Sequence, residues 1–368
     1  MKIYLLMFVL FFTTCASSQI NDNPDNLRAK IFELKVKTIP GDSLKLPFES
    51  IKIIDSRPDT SKVGFMITRK FLVTVNRVFE KIMLKPGIEK GIENFYNEYY
   101  KYNFTPNGKV LLISIRKLWI NSMPNRQGER QRNDLDRLSL QDIYAKFEYF
   151  LGSENTYVPL KRIDTTFQLS PITKTEGYDA ADEKKLPFFC FALERMVENI
   201  NYEYYIKNVG NKKKMSREEI EEYNDKTINI PILNSLTKKG VFLTFEEFKN
   251  NQPSILSFSK RKILKKKIYE ILDEKDNVIL HYFGYYDGEK LAIAKRLSTL
   301  FTGKISQDNY GIYRVGNSFQ FFENHVLNGR AEVGVWGNNQ PKNSNIINPG
   351  SNIVWVPRQI DMESGEIY

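Results

Sequence analysis

Asp142-Ile143-Tyr144-Ala145-Lys146-Phe147-Glu148-Tyr149-Phe150-Leu151 decides the fold class. Ile143, Ala145, Phe147 and Tyr149 alternate with Lys146 and Glu148, the period-2 pattern of a half-buried strand. Gly152-Ser153-Glu154-Asn155 turns the chain, and residues 157–169 return as the second arm of a β-hairpin. Upstream, residues 110–115 are apolar on both faces, which predicts a central strand, extended by residues 116–120. Before it, Ile88, Ile92, Phe95, Tyr96, Tyr99 and Tyr100 recur at helical spacing after Pro86-Gly87, and Pro106-Asn107-Gly108 stops that helix. A second helix is expected from about Leu186, with Phe189, Leu193, Met196, Val197 and Ile200 as its buried stripe and Pro187 tolerated in the first turn.

Earlier strands are expected within residues 27–37, alternating from Phe32 onward, at 50–54, and at 63–67 with 71–75, either as a pair or as one long strand. Residues 122–136, with Pro124, Gly128, Arg126, Arg130 and Arg132, read as a loop or mobile hairpin. Residues 207–234 are charged and weakly patterned and serve as the expected linker; Ser216 with Glu219 forms a capping-box pair for a short helix over 216–223. The second half is strand-rich. A strand at 240–244 leads into one helical turn capped by Thr244, and hairpins are expected at 267–285 around Asp273–Asn277 and at the Asp287-Gly288 turn. Further strands are expected at 291–294, 312–315, 318–322 and 353–356, with a loose region over 327–349. The reading is therefore α+β. An N-terminal domain (27–206) holds a mixed sheet and two helices, residues 207–234 link, and a mostly-β, hairpin-rich domain (235–368) follows.

Residues 1–18 set the expected location. Lys2, an apolar run over 3–12 and the small or polar residues 13–18 form a secretory signal, too short to span a bilayer. Cleavage before Gln19 would release a soluble protein. Cys15 is the alternative, as a lipidated first residue, though Thr14 and Phe12 fit that pattern poorly. Removing 1–18 takes one Lys and no acid, so the formal charge falls from +10 to +9. A basic exported chain suits an acidic glycan or an envelope protein as partner. Export argues against nucleic acid, and a membrane is met only if Cys15 is lipidated. Of the two Cys, only Cys190 remains after cleavage, within an apolar run, so no internal disulfide forms and a small buried hydrophobe is expected.

Chemistry-bearing patterns are sparse. His281 and His325 are the two His of the sequence, and neither an HExxH helix nor a Cys cluster nor a Gly-x-Ser-x-Gly elbow occurs. With no phosphate-binding loop or dinucleotide fingerprint either, no cofactor and no metal are expected. Three binding candidates stand beside structural readings. Asp55, Arg57 and Asp59 cluster where a strand enters a loop, as a polar corner or as an Arg–carboxylate loop staple. Tyr285 and Tyr286 precede Asp287 at a turn, where rings could stack on sugars or pack in the core. Lys265, Lys266 and Lys267 follow Lys260-Arg261-Lys262 as a basic run, facing an anionic partner or a solvated strand edge.

Residues 240–254 (GVFLTFEEFKNNQPS) and 284–293 (GYYDGEKLAI) resemble recurrent segments of uncharacterised secreted proteins of the Bacteroidetes type. That resemblance implies an exported bacterial protein and no particular activity. Ile53-Ile54-Asp55-Ser56-Arg57 with the strand–helix–strand that follows is loosely similar to small envelope lipoproteins over the first 120 residues. The expected function is an exported cell-envelope protein that binds or scaffolds a partner without catalysis. The alternatives are an exported carboxylate-dependent glycan hydrolase and a structural subunit of an envelope assembly.

Overall fold

The structure, a computed structural model, describes residues 23–36, 44–71, 75–124, 139–153, 155–169, 186–210, 212–262, 269–299, 305–326 and 353–368. The chain is α+β, and its spine is β5 (Val110–Pro124), the apolar strand expected at the centre. On one side β5 pairs antiparallel with β6 (Ser139–Ser153), which pairs with β7 (Thr156–Leu169). On the other side two strands share its length. β2 (Ser50–Asp55) runs parallel along residues 110–115, and β3 (Gly64–Phe71) runs parallel at Ile120 and Asn121. The loop 56–63 joins them. β4 (Val75–Lys85) pairs with β3, and β1 (Ala29–Glu33) closes that edge, giving a seven-stranded mixed sheet. Gly64 is required where β3 meets β5: its φ is +133°, and a Cβ there would sit 2.0 Å from the Ile120 carbonyl oxygen.

β4 corrects the sequence reading of 63–67 and 71–75 as a strand pair or one long strand: β3 spans Gly64–Phe71, and its partner β4 runs over Val75–Lys85. Phe79 is buried on one face of β4 while Ile82 and Leu84 are buried in the core of the other face. With both faces partly covered, no single-face alternation marks the strand.

One sheet face is apolar. Ile51, Ile53, Leu111, Ile113, Ile115, Ile143, Phe147 and Tyr149 pack under α1 (Ile88–Tyr99) and α2 (Pro187–Glu198), both near their expected positions. Asn97 of α1 accepts from the Ile51 amide at 3.0 Å and donates to its carbonyl at 2.7 Å, which satisfies the outer edge of β2. Tyr96, Tyr149 and Tyr202 donate to the carbonyls of Leu193, Met196 and Val197 at 2.8, 2.7 and 3.0 Å. Met196 and Val197 lie in the last turn of α2, whose carbonyls lack helical donors. Cys190 is buried in α2. α3 (Tyr202–Lys207) follows directly and was not anticipated.

The other face of the sheet mixes buried polar residues such as Ser114, Lys117 and Lys146 with apolar ones, and distant parts of the chain cover it. α4 (Arg217–Ile228) keeps the Ser216–Glu219 capping box but runs past the expected end at residue 223. It docks on the sheet: Ile220 joins Ile54, Leu112, Phe150 and Tyr157, and Asn224 donates to Ser56 and Ser114. The span expected as a linker thus contributes a packed helix.

The second half contains α5 (Pro231–Asn234), β8 (Gly240–Phe242), α6 (Phe245–Lys249), the pair β9 (Ser259–Lys262) and β10 (Tyr269–Leu272), β11 (Gly284–Tyr286), β12 (Leu291–Thr299), β13 (Ile305–Gly311), β14 (Tyr313–Val315), β15 (Ser318–Val326) and β16 (Ile353–Ile360). Sheets β13-β12-β11-β8 and β14-β15-β16 enclose Phe242, Phe248, Phe319, Phe321 and Ile360, while Ile271 of the pair β10-β9 packs with Val241, Tyr282, Tyr285 and Ala292. The hairpin expected over 267–285 is different. β10 pairs with β9, while residues 278–283 keep one bridge, Leu272–Val278. His281 adopts a φ of +61°, which breaks a strand at that position. The Asp287-Gly288 hairpin joins β11 and β12 as expected.

Candidate functional site

The Asp55–Arg57–Asp59 corner is an internal staple. Arg57 is buried and meets Asp55 through two parallel bonds, Nε to Oδ1 at 2.7 Å and Nη2 to Oδ2 at 2.9 Å. Its Nη1 donates to the carbonyls of Lys62 at 2.7 Å and Leu118 at 3.1 Å, fixing the crossing loop to β5. Burial opposes the guanidinium charge, but Asp55 and Asp59 outweigh it and raise its pKa further. Asp59 accepts from Lys62 at 2.7 Å and from the Ser61 hydroxyl at 2.6 Å, and Gln320 of β15 donates to it at 3.0 Å. Burial disfavours the Asp59 charge, yet Lys62 and Ser61 hold the carboxyl below its ordinary range. The Asn317 amide donates to Pro58 O at 3.0 Å, so this loop is also where the second half of the chain seats on the first.

Next to it lies a charged seam that sequence reasoning missed. Lys117 and Lys146 stand directly opposite each other on β5 and β6, both buried. The stretch 361–368 brings the compensating acids. Asp361 lies 2.6 Å from Lys117 and 3.7 Å from Lys146; Glu363 lies 3.0 Å from Lys146 and 2.7 Å from Arg162; Glu366 lies 3.3 Å from Lys117. Burial works against Asp361 and Glu363 as anions, but these cations hold both carboxyls below their ordinary values. Tyr368 ends the stretch in an aromatic box with Trp119 and Tyr144, and Lys117 lies over its ring.

The aromatic turn and the start of the basic run meet in space. Lys260 of β9 pairs with Asp287 and lies over the rings of Tyr285 and Tyr269. Asp287 also accepts from the amides of Glu289 and Lys290; burial opposes its charge, but Lys260 and these amides draw its pKa down to about 2. Tyr285 is buried against Phe258 and Tyr282, and Tyr286 is half-buried with its hydroxyl on Gly288 O at 2.8 Å. Arg261 is spent on Glu270 at 2.6 Å. All four residues of β9 are exposed, Lys262 among them. Lys265, Lys266, Lys267 and Cys15 lie outside the described residues.

One exposed aromatic and basic surface is assembled only by the fold. Tyr204 of α3 is 57% exposed and stands edge-on to Tyr205 at 5.2 Å. Lys161 of β7 lies over the Tyr205 ring at 5.1 Å. Lys212 donates to the carbonyls of Pro159 and Leu160 at 3.1 and 3.3 Å, beside Lys161, and Lys214 is exposed two residues further on. A cluster of Lys at 212–214 was the only sequence signal, and nothing in the chain order connects it to Tyr204 or Lys161.

Among the described residues, no helix is long and apolar enough to cross a membrane, and no group of three or more His, Cys, Asp or Glu is placed to hold a metal ion. No family model matches the chain, and no curated protein matches it. Among solved structures the chain is similar to a Xanthomonas campestris protein of the family DUF330, over 54% of this chain and 99% of the other, at 12% identity and a TM-score of 0.26. A superposition that loose assigns neither fold nor activity.

Proposed function

We propose that the protein is exported to the cell envelope and there binds or scaffolds a partner without catalysing a reaction. The observation that carries the non-catalytic reading is the use made of the clustered acids. Asp55 pairs with Arg57, and Asp59, Asp361 and Glu363 are held ionised by fixed Lys or Arg, so these groups act as staples between segments. A general acid needs the opposite, a carboxyl kept protonated near neutral pH. The signal-like stretch 1–18 and the resemblance of 240–254 and 284–293 to secreted proteins support export. Intact mass of protein from fractionated cells tests it. A chain starting at Gln19 in the soluble envelope fraction supports release, and one starting at lipidated Cys15 in the membrane fraction supports anchoring. An unprocessed chain in the cytoplasm refutes export.

A glycan hydrolase is the second reading, and one observation favours it. Glu198 has a pKa raised by burial, opposed by Arg195 and by bonds from Tyr99 and Tyr100. Glu194 lies one helical turn earlier, and its charge and that of Glu198 both act on Tyr99. Reducing-end release from bacterial polysaccharide, lost in Glu198→Gln with the fold intact, would establish this reading over the first.

A further inference from the structure

We propose that the surface formed by Tyr204, Tyr205, Lys161, Lys212 and Lys214 binds an acidic polysaccharide. The inference rests on the binding reading above and names the partner class and the place.

Three observations carry it. First, Tyr204 is one of the few large rings exposed in the described chain, and its contact with Tyr205 fixes its orientation. An aromatic ring held in place presents an apolar face to a sugar ring at little entropic cost. Second, cations from two separate segments are held beside its partner ring, Tyr205. Lys161 is stacked on Tyr205, and Lys212 is anchored by two backbone carbonyls, which carry no formal charge. Two acids close by are already paired: Asp164 is 3.1 Å from Lys146, and Glu219 is 3.3 Å from Lys213, while Glu203 beside Tyr204 is exposed. Third, the aliphatic residues of this surface point inward. Ile206 and Val209 pack against the main core. Lipid insertion needs exposed aliphatic groups beside the cations, and the described residues offer a ring and charges instead. That combination suits carboxylate- or sulfate-bearing sugars rather than a bilayer. The β9 cations contrast with it, because Lys260 and Arg261 are already paired with Asp287 and Glu270.

The test uses the purified mature chain with polygalacturonate, dextran sulfate, neutral dextran and phosphatidylglycerol vesicles as probes in calorimetry. The expected result is salt-sensitive binding to at least one acidic polymer and none to neutral dextran. Affinity should fall tenfold or more in Tyr204→Ala and in Lys161→Gln/Lys214→Gln, with Lys262→Gln unchanged. Circular dichroism and the urea midpoint confirm that the variants remain folded. Lack of binding to both acidic polymers overturns the proposal. So does binding to vesicles alone, or an equal loss in Lys262→Gln, which would mean diffuse charge rather than this surface. Because the probes meet purified protein, failure here leaves the export reading standing, and a cytoplasmic chain in the fractionation leaves this result standing.

Discussion

Asp361→Asn isolates the seam between the two halves of the chain. The change keeps the shape and removes one charge. In the folded protein the Asp361 carboxylate lies between Lys117 and Lys146, whose side chains are each 5% exposed. Removing one partner of a buried ion pair costs about 3–5 kcal/mol, because the other charge is left desolvated. Here the loss is smaller. Lys117 keeps Glu366 at 3.3 Å, but that side chain is 56% exposed and screened by water. Lys146 keeps Glu363 at 3.0 Å and Asp164 at 3.1 Å. The two lysines also face each other without the anion between them. We expect Asp361→Asn to cost about 2–3 kcal/mol. Lys117→Met removes the opposing charge, so the double variant should recover about 1–2 kcal/mol of the summed single losses. Urea unfolding followed by tryptophan fluorescence suits the assay, since Trp119 is buried beside Tyr368 in this seam. The midpoint should move while the slope stays constant. A change below about 0.5 kcal/mol in Asp361→Asn, within the range of ordinary surface substitutions, would refute the seam as an energetic unit. Strictly additive losses would refute it equally.

Three further outcomes follow from the same geometry. Arg57→Lys should destabilise the fold by about 3 kcal/mol or more, because an ammonium cannot serve Asp55 and the two carbonyls together; a urea midpoint equal to that of the unaltered chain would contradict it. Tyr149→Phe should cost about 1–2 kcal/mol, since the Met196 carbonyl at the end of α2 loses its 2.7 Å donor; amide exchange should show faster opening of residues 196–199, and unchanged exchange would count against this role. Asp59, Asp361 and Glu363 have folded pKa values below their ordinary 3.8, 3.8 and 4.5. Their stabilisation is therefore complete above the ordinary carboxylate values and is lost as pH falls below them toward the folded values. The urea midpoint should fall as pH drops below the ordinary carboxylate values, and a flat profile there would show that these acids carry no net stability.

What the sequence made legible follows from how each element is covered. The 142–169 hairpin, β5 and the first helix announced themselves because one apolar pattern dominates each. β4 did not, because its buried residues divide between two faces. β9 did not, because Ser259-Lys260-Arg261-Lys262 reads as a solvated run until Asp287 and Glu270 are brought to it. The candidate corner at Asp55, Arg57 and Asp59 was visible as a cluster, since an Asp two residues before an Arg at a strand end can close a local bidentate pair. Its link to Gln320 spans 261 positions and leaves no local pattern.

The seam shows why charge is harder to read than apolarity. Lys146 and Glu148 alternate with Ile143, Ala145, Phe147 and Tyr149, and that pattern normally means one face in the core and one in water. The apolar half of the reading holds. On the other face, Lys146 is 4% exposed and Glu148 is 8% exposed. Water has been replaced by Asp361, Glu363 and Arg162, which come from the far end of the sequence and from the neighbouring strand. A strand with polar residues on alternate positions is therefore compatible with solvent or with a paired polar seam, and local sequence cannot separate the two. The difference lies in whether a complementary run exists elsewhere. Asp361-Met362-Glu363-Ser364-Gly365-Glu366 is such a run, with acids on alternate sides of a turn that returns Ile367 to pair with Ile360. The same reasoning separates Lys260 and Arg261, which have found their acids, from Lys161, Lys212 and Lys214, which present their charge to the surroundings. Lys161 of the second set lies over Tyr205, whose ring meets the exposed Tyr204.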